Sequence, residues 1–403
     1  MVDWGFITRG HQPIGLDIGH DSIKMIQLAT NAGHISVLAA EKVHIDPGIN
    51  GDGEERRRFI VSSIRKSLAS GSFHGRNVVS ALPSESLKIT SLRLAEVESA
   101  KLEQVLRKEV SERFGLDPDR DAIEYMLAGD VRQGDEIRNE LILFAAKNES
   151  IRSHIELLEE AGLKPVSLDT TPCALFRSFE RVLQRVEDRD RTAVFVDIGS
   201  RFTTVVFGRG REISFIKQIP IGGEKFNQEV ATKLGVSVEE AQILRRKLRV
   251  ETPAGARVDS VLSPAGGRDN GEDIDETVDL DASTRQVTVD AVSTVAQELA
   301  KEISLCFRYY TVTFRGKRVE RAIFSGGEAY EKILLNVLKR QLAVEIEVAQ
   351  PLRGFDMTNV DFDSDRRGLL CEWAVAVGLS LKGQRAESTS EKKVFNCPDN
   401  REG

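Results

Sequence analysis

The chain has only four cysteines, and none of them forms a Cys-x-x-Cys pair. Cys173, Cys306, Cys371 and Cys397 are too scattered for a metal knuckle, and they read as inert thiols in a reducing compartment. The six histidines do not cluster either. No apolar run approaches the roughly 20 residues that cross a bilayer. The longest are Ala193–Ile198, Leu141–Ala146 and Trp373–Leu381. Met1–Gly10 lacks the apolar stretch of a secretory signal. Positive charge is also in deficit: 56 Lys and Arg face 63 Asp and Glu, giving a net charge of -7. That balance weighs against nucleic acid as the main partner, because phosphate backbones need a basic surface. A globular composition remains, 40% hydrophobic and 30% charged, over 403 residues. It is enough for two or three domains and predicts a cytoplasmic chain.

Two segments look alike. The first runs Ile14-Gly15-Leu16-Asp17-Ile18-Gly19, then Ser22–Ala29, a turn at Asn31-Ala32-Gly33, and His34–Ile45. The second runs Val194-Phe195-Val196-Asp197-Ile198-Gly199, then Arg201–Phe207, a turn at Gly208-Arg209-Gly210, and Arg211–Pro220. Apolar and β-branched runs separated by Gly and Asn predict three strands in each. A helical pattern follows each one. In Glu54–Ser70, Phe59, Ile60, Ile64 and Leu68 share a face; in Glu224–Leu234, Phe226, Val230 and Leu234 do. The expected architecture is α/β: two similar lobes, each with a βββαβα core.

The first lobe is expected over residues 13–83 and 169–190, interrupted by a small α+β module at 84–168. Within that module Leu102, Val105, Leu106, Val110 and Phe114 mark one stripe on a helix over Ser99–Phe114. The stripe could line a partner groove, and core packing is the plainer alternative. The second lobe is expected over 191–382. Residues 251–286, rich in Asp, Gly, Ser and Pro, read as a disordered surface loop, and 383–403 as a mobile tail.

The repeated turns carry chemistry that suits a phosphate chain. Asp17-Ile18-Gly19-His20-Asp21-Ser22 offers backbone N–H groups at a sharp hairpin, and Gly19 lets an anion approach. Lys24, seven residues after Asp17, could place a positive charge on a phosphate. Asp197-Ile198-Gly199-Ser200, followed by Thr203 and Thr204, could grip from the other side. Asp17 and Asp197 would then flank a hydrated Mg²⁺, which needs only one or two carboxylates held through water. Ile221-Gly222-Gly223-Glu224-Lys225 opens a helix whose free N–H groups suit an anion or a ribose edge. Ser325-Gly326-Gly327-Glu328 ends a strand where backbone could stack on a base. Each motif alone is also ordinary turn chemistry, and it is the pairing that gives the set its weight. A G-x-x-x-x-G-K-[ST] loop, a G-x-G-x-x-G loop and a Ser-His-Asp set are all absent.

In this order the motifs resemble the actin, sugar-kinase and heat-shock ATPase superfamily, and within it the PilM family of type IV pilus assembly proteins. FtsA-like division proteins are more distant. Gly15–Gly19, Ala81-Leu82-Pro83, Leu157–Val166, Asp169–Leu175, Pro220–Glu224 and Phe324–Glu328 carry the likeness. It implies an ATP- and Mg-binding scaffold on the cytoplasmic face of the inner membrane. The family binds the cytoplasmic N-terminal peptide of a PilN-like membrane protein between the first lobe and its module, and couples that complex to the assembly motor. Gln242 and Arg245 occupy the ribose-facing positions where the family has Glu and Lys. His20 replaces a small hydroxyl residue, and Thr171 a glutamate. Thr is a poor general base, so nucleotide binding with slow or absent hydrolysis is expected. An active ATPase or kinase, and an FtsA-like filament former, are the alternatives. The polar tail lacks the amphipathic membrane helix that the last would need. Self-association stays open.

Overall fold

The computed structural model describes residues 10–31, 34–49, 53–94, 99–133, 136–180, 192–251, 280–314, 318–358, 360, 362 and 370–385. The first lobe begins with β1 (Gly10–His11), β2 (Ile14–Ile18), β3 (Ser22–Asn31), β4 (His34–His44), α1 (Glu54–Ala69) and β5 (Asn77–Ala81). The inserted module holds β6 (Leu87–Leu94), α2 (Ser99–Phe114), β7 (Ala122–Gln133) and β8 (Glu136–Ala146). Helix α3 (Asn148–Glu160), β9 (Lys164–Asp169) and α4 (Thr171–Glu180) follow. The second lobe has β10 (Thr192–Ile198), β11 (Thr203–Arg209), β12 (Glu212–Ile219), α5 (Gly223–Leu234), α6 (Val238–Glu251), α7 (Ala282–Thr313), β13 (Val319–Ser325), α8 (Lys332–Leu342) and β14 (Glu345–Val348). The final helix is α9 (Ala374–Leu381).

The duplication is real at the level of topology. The first sheet runs β4-β3-β2-β5-β9, with β1 pairing the far end of β3; the second runs β12-β11-β10-β13-β14. In each, the first three strands form an antiparallel meander and the next two add in parallel beside the first. The central strands are buried on both faces, as the consecutive buried residues Ile14-Gly15-Leu16 of β2 and Val194–Val196 of β10 show. Each Asp-x-Gly turn therefore sits at the C-terminal end of a central strand, where open α/β sheets place ligands.

Several expected boundaries move. Helix α3 and β9 belong to the first lobe and not to the module. Ile151 and Leu158 of α3 join the core built around Ile60 and Ile64 of α1, and β9 pairs with β5. The module is thus a three-stranded antiparallel sheet, β6-β8-β7, with α2 on one face. Leu106 and Val110 of α2 are buried against Leu92, Leu143 and Ala145, so the helix's apolar stripe faces its own sheet. The other face of that sheet, through Leu87, Ile142 and Phe144, joins the core of the second lobe.

The two lobes also exchange helices. Cys173, Leu175, Phe176 and Phe179 of α4 enter the second-lobe core. Helix α9, expected in the second lobe, instead packs on the first sheet: Ala376, Val377 and Leu381 meet Ile26 and Leu28 of β3. The two helices cross at Gly378, where a methyl group would collide with the Ala174 carbonyl. Glycine is the residue that permits this backbone-to-backbone contact.

Helix α7 starts at Ala282, so the last residues of the expected 251–286 loop are helical. Asp281 caps them, accepting from the Ser283 and Thr284 N–H groups at 3.0 Å each. Residues 252–279 and 386–403, expected as loop and tail, lie outside the described residues. No described helix is long and apolar enough to cross a membrane.

Candidate functional site

The two hairpins are near copies. In the first, Asp17 pairs with Lys24 across the β2–β3 ladder, and the Gly19 N–H donates to the Ser22 carbonyl at 2.9 Å. In the second, Asp197 pairs with Thr204 across β10–β11, and the Gly199 N–H donates to the Phe202 carbonyl at 3.0 Å. Their tips meet. The Ser200 hydroxyl donates to Asp21 Oδ1 at 3.0 Å, and the same oxygen lies 2.9 Å from His20 Nδ1. Beneath them is a cleft of about 310 Å³, within the range of small-molecule sites. Asp17, Gly19, His20, Asp21, Ser22, Lys24, Asp197, Gly199, Ser200, Thr204, Gly326, Gly327 and Glu328 all line it. These expected site residues come together.

The charges on the two sides differ. Lys24 is buried and donates to Asp17 Oδ2 at 3.2 Å. Burial works against its charge, but Asp17, Glu372 and Asp197 outweigh it and raise its pKa. Lys24 is thus already engaged by carboxylates. Asp197 has no ion pair among the described residues and feels Lys24 only through space. Burial, reinforced by the nearby Asp17, pushes its carboxyl up to about 6, against a Ser325 hydroxyl donating at 2.9 Å. Lys24 offsets this only in part, and a hydrated Mg²⁺ would add positive charge beside the carboxyl. No group of three or more His, Cys, Asp or Glu among the described residues forms a direct ligand cage.

The remaining expected residues lie elsewhere. Thr203 is fully buried and donates to the Ile221 carbonyl at 2.6 Å. The N–H groups of Gly223 and Glu224 are not free for an anion: they donate to Gly199 O at 3.0 Å and Ser200 O at 2.8 Å. Helix α5 thus uses its N-terminus to brace the second hairpin. Glu224 pairs with Arg201 at 3.3 Å, and Lys225 pairs with Glu298. Gln242 and Arg245 do not line the cleft. Arg245 is buried among Glu328, Glu331, Asn227 and the Gly223 carbonyl, with its guanidinium 5.0 Å from the Phe226 ring centre. Burial would raise the Glu328 carboxyl, but Arg245 and Arg249 hold it below its ordinary range. Buried carboxylates require partners, which is why Arg245 is committed here and not to a ribose. Gly326 has φ of 93°, and a methyl group there would collide with the Ile198 carbonyl of β10.

Two features escape sequence reasoning. Arg56 of α1 donates to the His20 and Gly19 carbonyls at 3.0 and 2.8 Å, so it clamps the first hairpin while itself lining the cleft. On sequence it is one of three consecutive arginines on a polar helix face. Asp169 is buried at the interlobe crossing, 2.8 Å from Arg177 and 3.4 Å from Lys382. Burial opposes its charge, yet the two cations lower its pKa. Arg177 also donates to the Gly378 carbonyl at 2.9 Å, so this cluster pins α4 to α9.

The model of the type IV pilus assembly protein PilM family matches residues 15–292. The chain belongs to the PilM family. The solved structure described as a PilM-PilN type IV pilus biogenesis complex superposes with a TM-score of 0.70, covering 92% of this chain and 98% of that one at 22% identity. The ethanolamine utilization protein EutJ of Carboxydothermus hydrogenoformans gives a TM-score of 0.50 at 13% identity, covering 93% and 90%. The fold is that of the actin-like ATPases, with both lobes present. The cell division protein FtsA of Streptococcus pneumoniae serotype 2 (strain D39 / NCTC 7466) is 24% identical over 268 residues, 61% of this chain and 56% of FtsA. The chain thus matches about half the length of that relative.

Proposed function

We propose that this PilM-family chain is a nucleotide-binding scaffold of type IV pilus assembly, taking ATP with Mg²⁺ between its lobes. The observation that carries the reading is the meeting of two Asp-x-Gly hairpins, one from each lobe, across a cleft in which the Asp197 carboxyl stays raised despite Lys24. When bound, Mg²⁺-ATP supplies an anion that both hairpins address and a counter-charge for Asp197. The chain's own groups do the holding. Lys24 and the first hairpin face it from one lobe, Ser200 and Thr204 from the other, and Gly326-Gly327 close the adenosine side. A ligand touching both lobes favours their closed arrangement by its differential affinity for it.

The output of closure is a partner groove. We assign to it the cytoplasmic N-terminal peptide of a PilN-like inner-membrane protein, a reading supported by the likeness to a solved PilM-PilN type IV pilus biogenesis complex. The groove would lie between the first lobe and the module, and such a peptide would dock the chain at the membrane beside the pilus motor. The module is fastened to the second lobe: Glu140 accepts from Arg93 at 2.8 Å and from the Tyr309 hydroxyl of α7 at 2.9 Å. Movement of the second lobe therefore carries the module relative to the first lobe. A kinase reading is weaker, because Asp169, the interlobe carboxylate it would use as base, is tied to Arg177 and Lys382. Thr171, which lines the cleft, is a poor base, in keeping with slow turnover.

Equilibrium dialysis tests the core of this reading. One ATP per chain should bind with Mg²⁺ and more weakly with EDTA, and a PilN-type N-terminal peptide should bind more tightly to the ATP-loaded protein. Absence of nucleotide binding removes the reading, and a peptide affinity indifferent to nucleotide removes the coupling.

A further inference from the structure

The tip of the first hairpin presents the wrong polarity for a terminal phosphate. Asp21 Oδ1 accepts from the Ser200 hydroxyl across the cleft at 3.0 Å, so a carboxylate of the chain already occupies a donor of the second hairpin. His20 Nδ1 lies 2.9 Å from that same oxygen. A carboxylate oxygen only accepts, so Nδ1 carries the hydrogen and His20 orients Asp21. The His20 Nε2 is buried and has no hydrogen-bond partner among the described residues. Both side chains line the cleft. Phosphate oxygens are acceptors too. Where they need donors, Asp21 offers a negative charge, in a cleft whose cations are Lys24, Arg56 and Arg201. The desolvation that would raise the Asp21 carboxyl is overcome by His20 and Ser200, which lower its pKa, so the charge persists at neutral pH.

We infer that Asp21, oriented by His20, sets the nucleotide preference of this site toward a nucleoside diphosphate and against the triphosphate. The inference rests on the nucleotide reading above and adds which nucleotide the site retains. A diphosphate leaves the Asp21–Ser200 bridge in place between the lobes. A triphosphate must displace it or bear the like charge. This is specificity by a repulsive element, built into a loop that otherwise favours anions.

Calorimetric titration of the full chain with Mg²⁺-ADP and with Mg²⁺-ATP provides the test. Wild type should bind ADP about tenfold more tightly than ATP. Asp21→Asn keeps the side chain's size and can still accept from Ser200 through its amide oxygen, but removes the charge. It should narrow the ADP-to-ATP ratio by about fivefold or more, mainly through tighter ATP binding. His20→Asn, which removes the ring that orients Asp21, should shift the ratio the same way. A merely structural role for either residue would move both affinities together and leave the ratio alone. Wild type preferring ATP, or an unchanged ratio in Asp21→Asn, overturns the inference while leaving the nucleotide reading intact. If neither nucleotide binds wild type, both fall.

Discussion

The two acidic hairpins have almost the same backbone and opposite electrostatics. In the first, the residue across the ladder from Asp17 is Lys24, and the carboxylate is neutralised within its own lobe. In the second, the equivalent position across from Asp197 is Thr204, which has no charge to give. Their supports differ as well. Arg56 clamps the carbonyls of the first tip, whereas the first turn of α5 braces the second, and Arg245 in turn holds α5 through Gly223 O. Duplication thus supplies the shape of a two-sided clamp. Divergence makes one jaw self-sufficient and leaves the other in need of an external cation.

The largest expected effect lies in the brace of the second hairpin. Arg245→Ala should cost about 3 to 5 kcal/mol in urea unfolding, because Glu328 and Glu331 stay buried with only Arg249 to share. Gln242→Ala, one turn earlier on α6, should cost less than about 0.5 kcal/mol. Equal costs would return Arg245 to a ligand-facing role.

The first jaw should be nearly as sensitive. Asp17→Asn strands a buried Lys24 and should cost about 3 kcal/mol. The second jaw should answer with the opposite sign. Asp197→Asn should stabilise the ligand-free protein at pH 7.5 by about 2 kcal/mol. The sign follows from the raised carboxyl. Between its ordinary 3.8 and about 6 the folded protein keeps a proton that the unfolded chain has lost. Stability from this group therefore falls as pH rises through that window and stays low above it. Melting curves across that range should show this slope in wild type and not in Asp197→Asn. Destabilisation by Asp197→Asn at pH 7.5 would erase the contrast between the jaws. Weaker than either jaw's carboxylate, Arg56→Ala should cost about 1 kcal/mol through two lost hydrogen bonds to the first tip.

The hairpins were legible because local signals agree: buried apolar strands, an Asp-x-Gly turn, and a second strand after a fixed offset. So was α2, whose 3.6-residue stripe reports its buried face. The placement of α9 was not legible. Its eight residues are all buried, so the sequence marks the helix as interior without saying which sheet covers it. Strand β14 is four residues long, and two of them are glutamates, too few for a period to emerge. Helix α3 and β9 follow the module directly in the chain, so sequence order groups them with it, whereas sheet pairing decides membership. Arg245 and Glu328 are 83 positions apart, and only the tertiary structure reveals that they satisfy each other. The site's inner face was therefore readable, while the salt-bridged scaffolding behind it depended on long-range pairing that no local pattern records.

The central claim is that both jaws act on one ligand through one cation. It is tested most directly by observing the Asp197 carboxyl by ¹³C NMR as pH is varied, without ligand and then with Mg²⁺ and nucleotide. The account predicts a midpoint near 6 in the ligand-free protein that drops by more than about one unit when both are added. An Asp197 midpoint unmoved by a saturating Mg²⁺-nucleotide complex would contradict it.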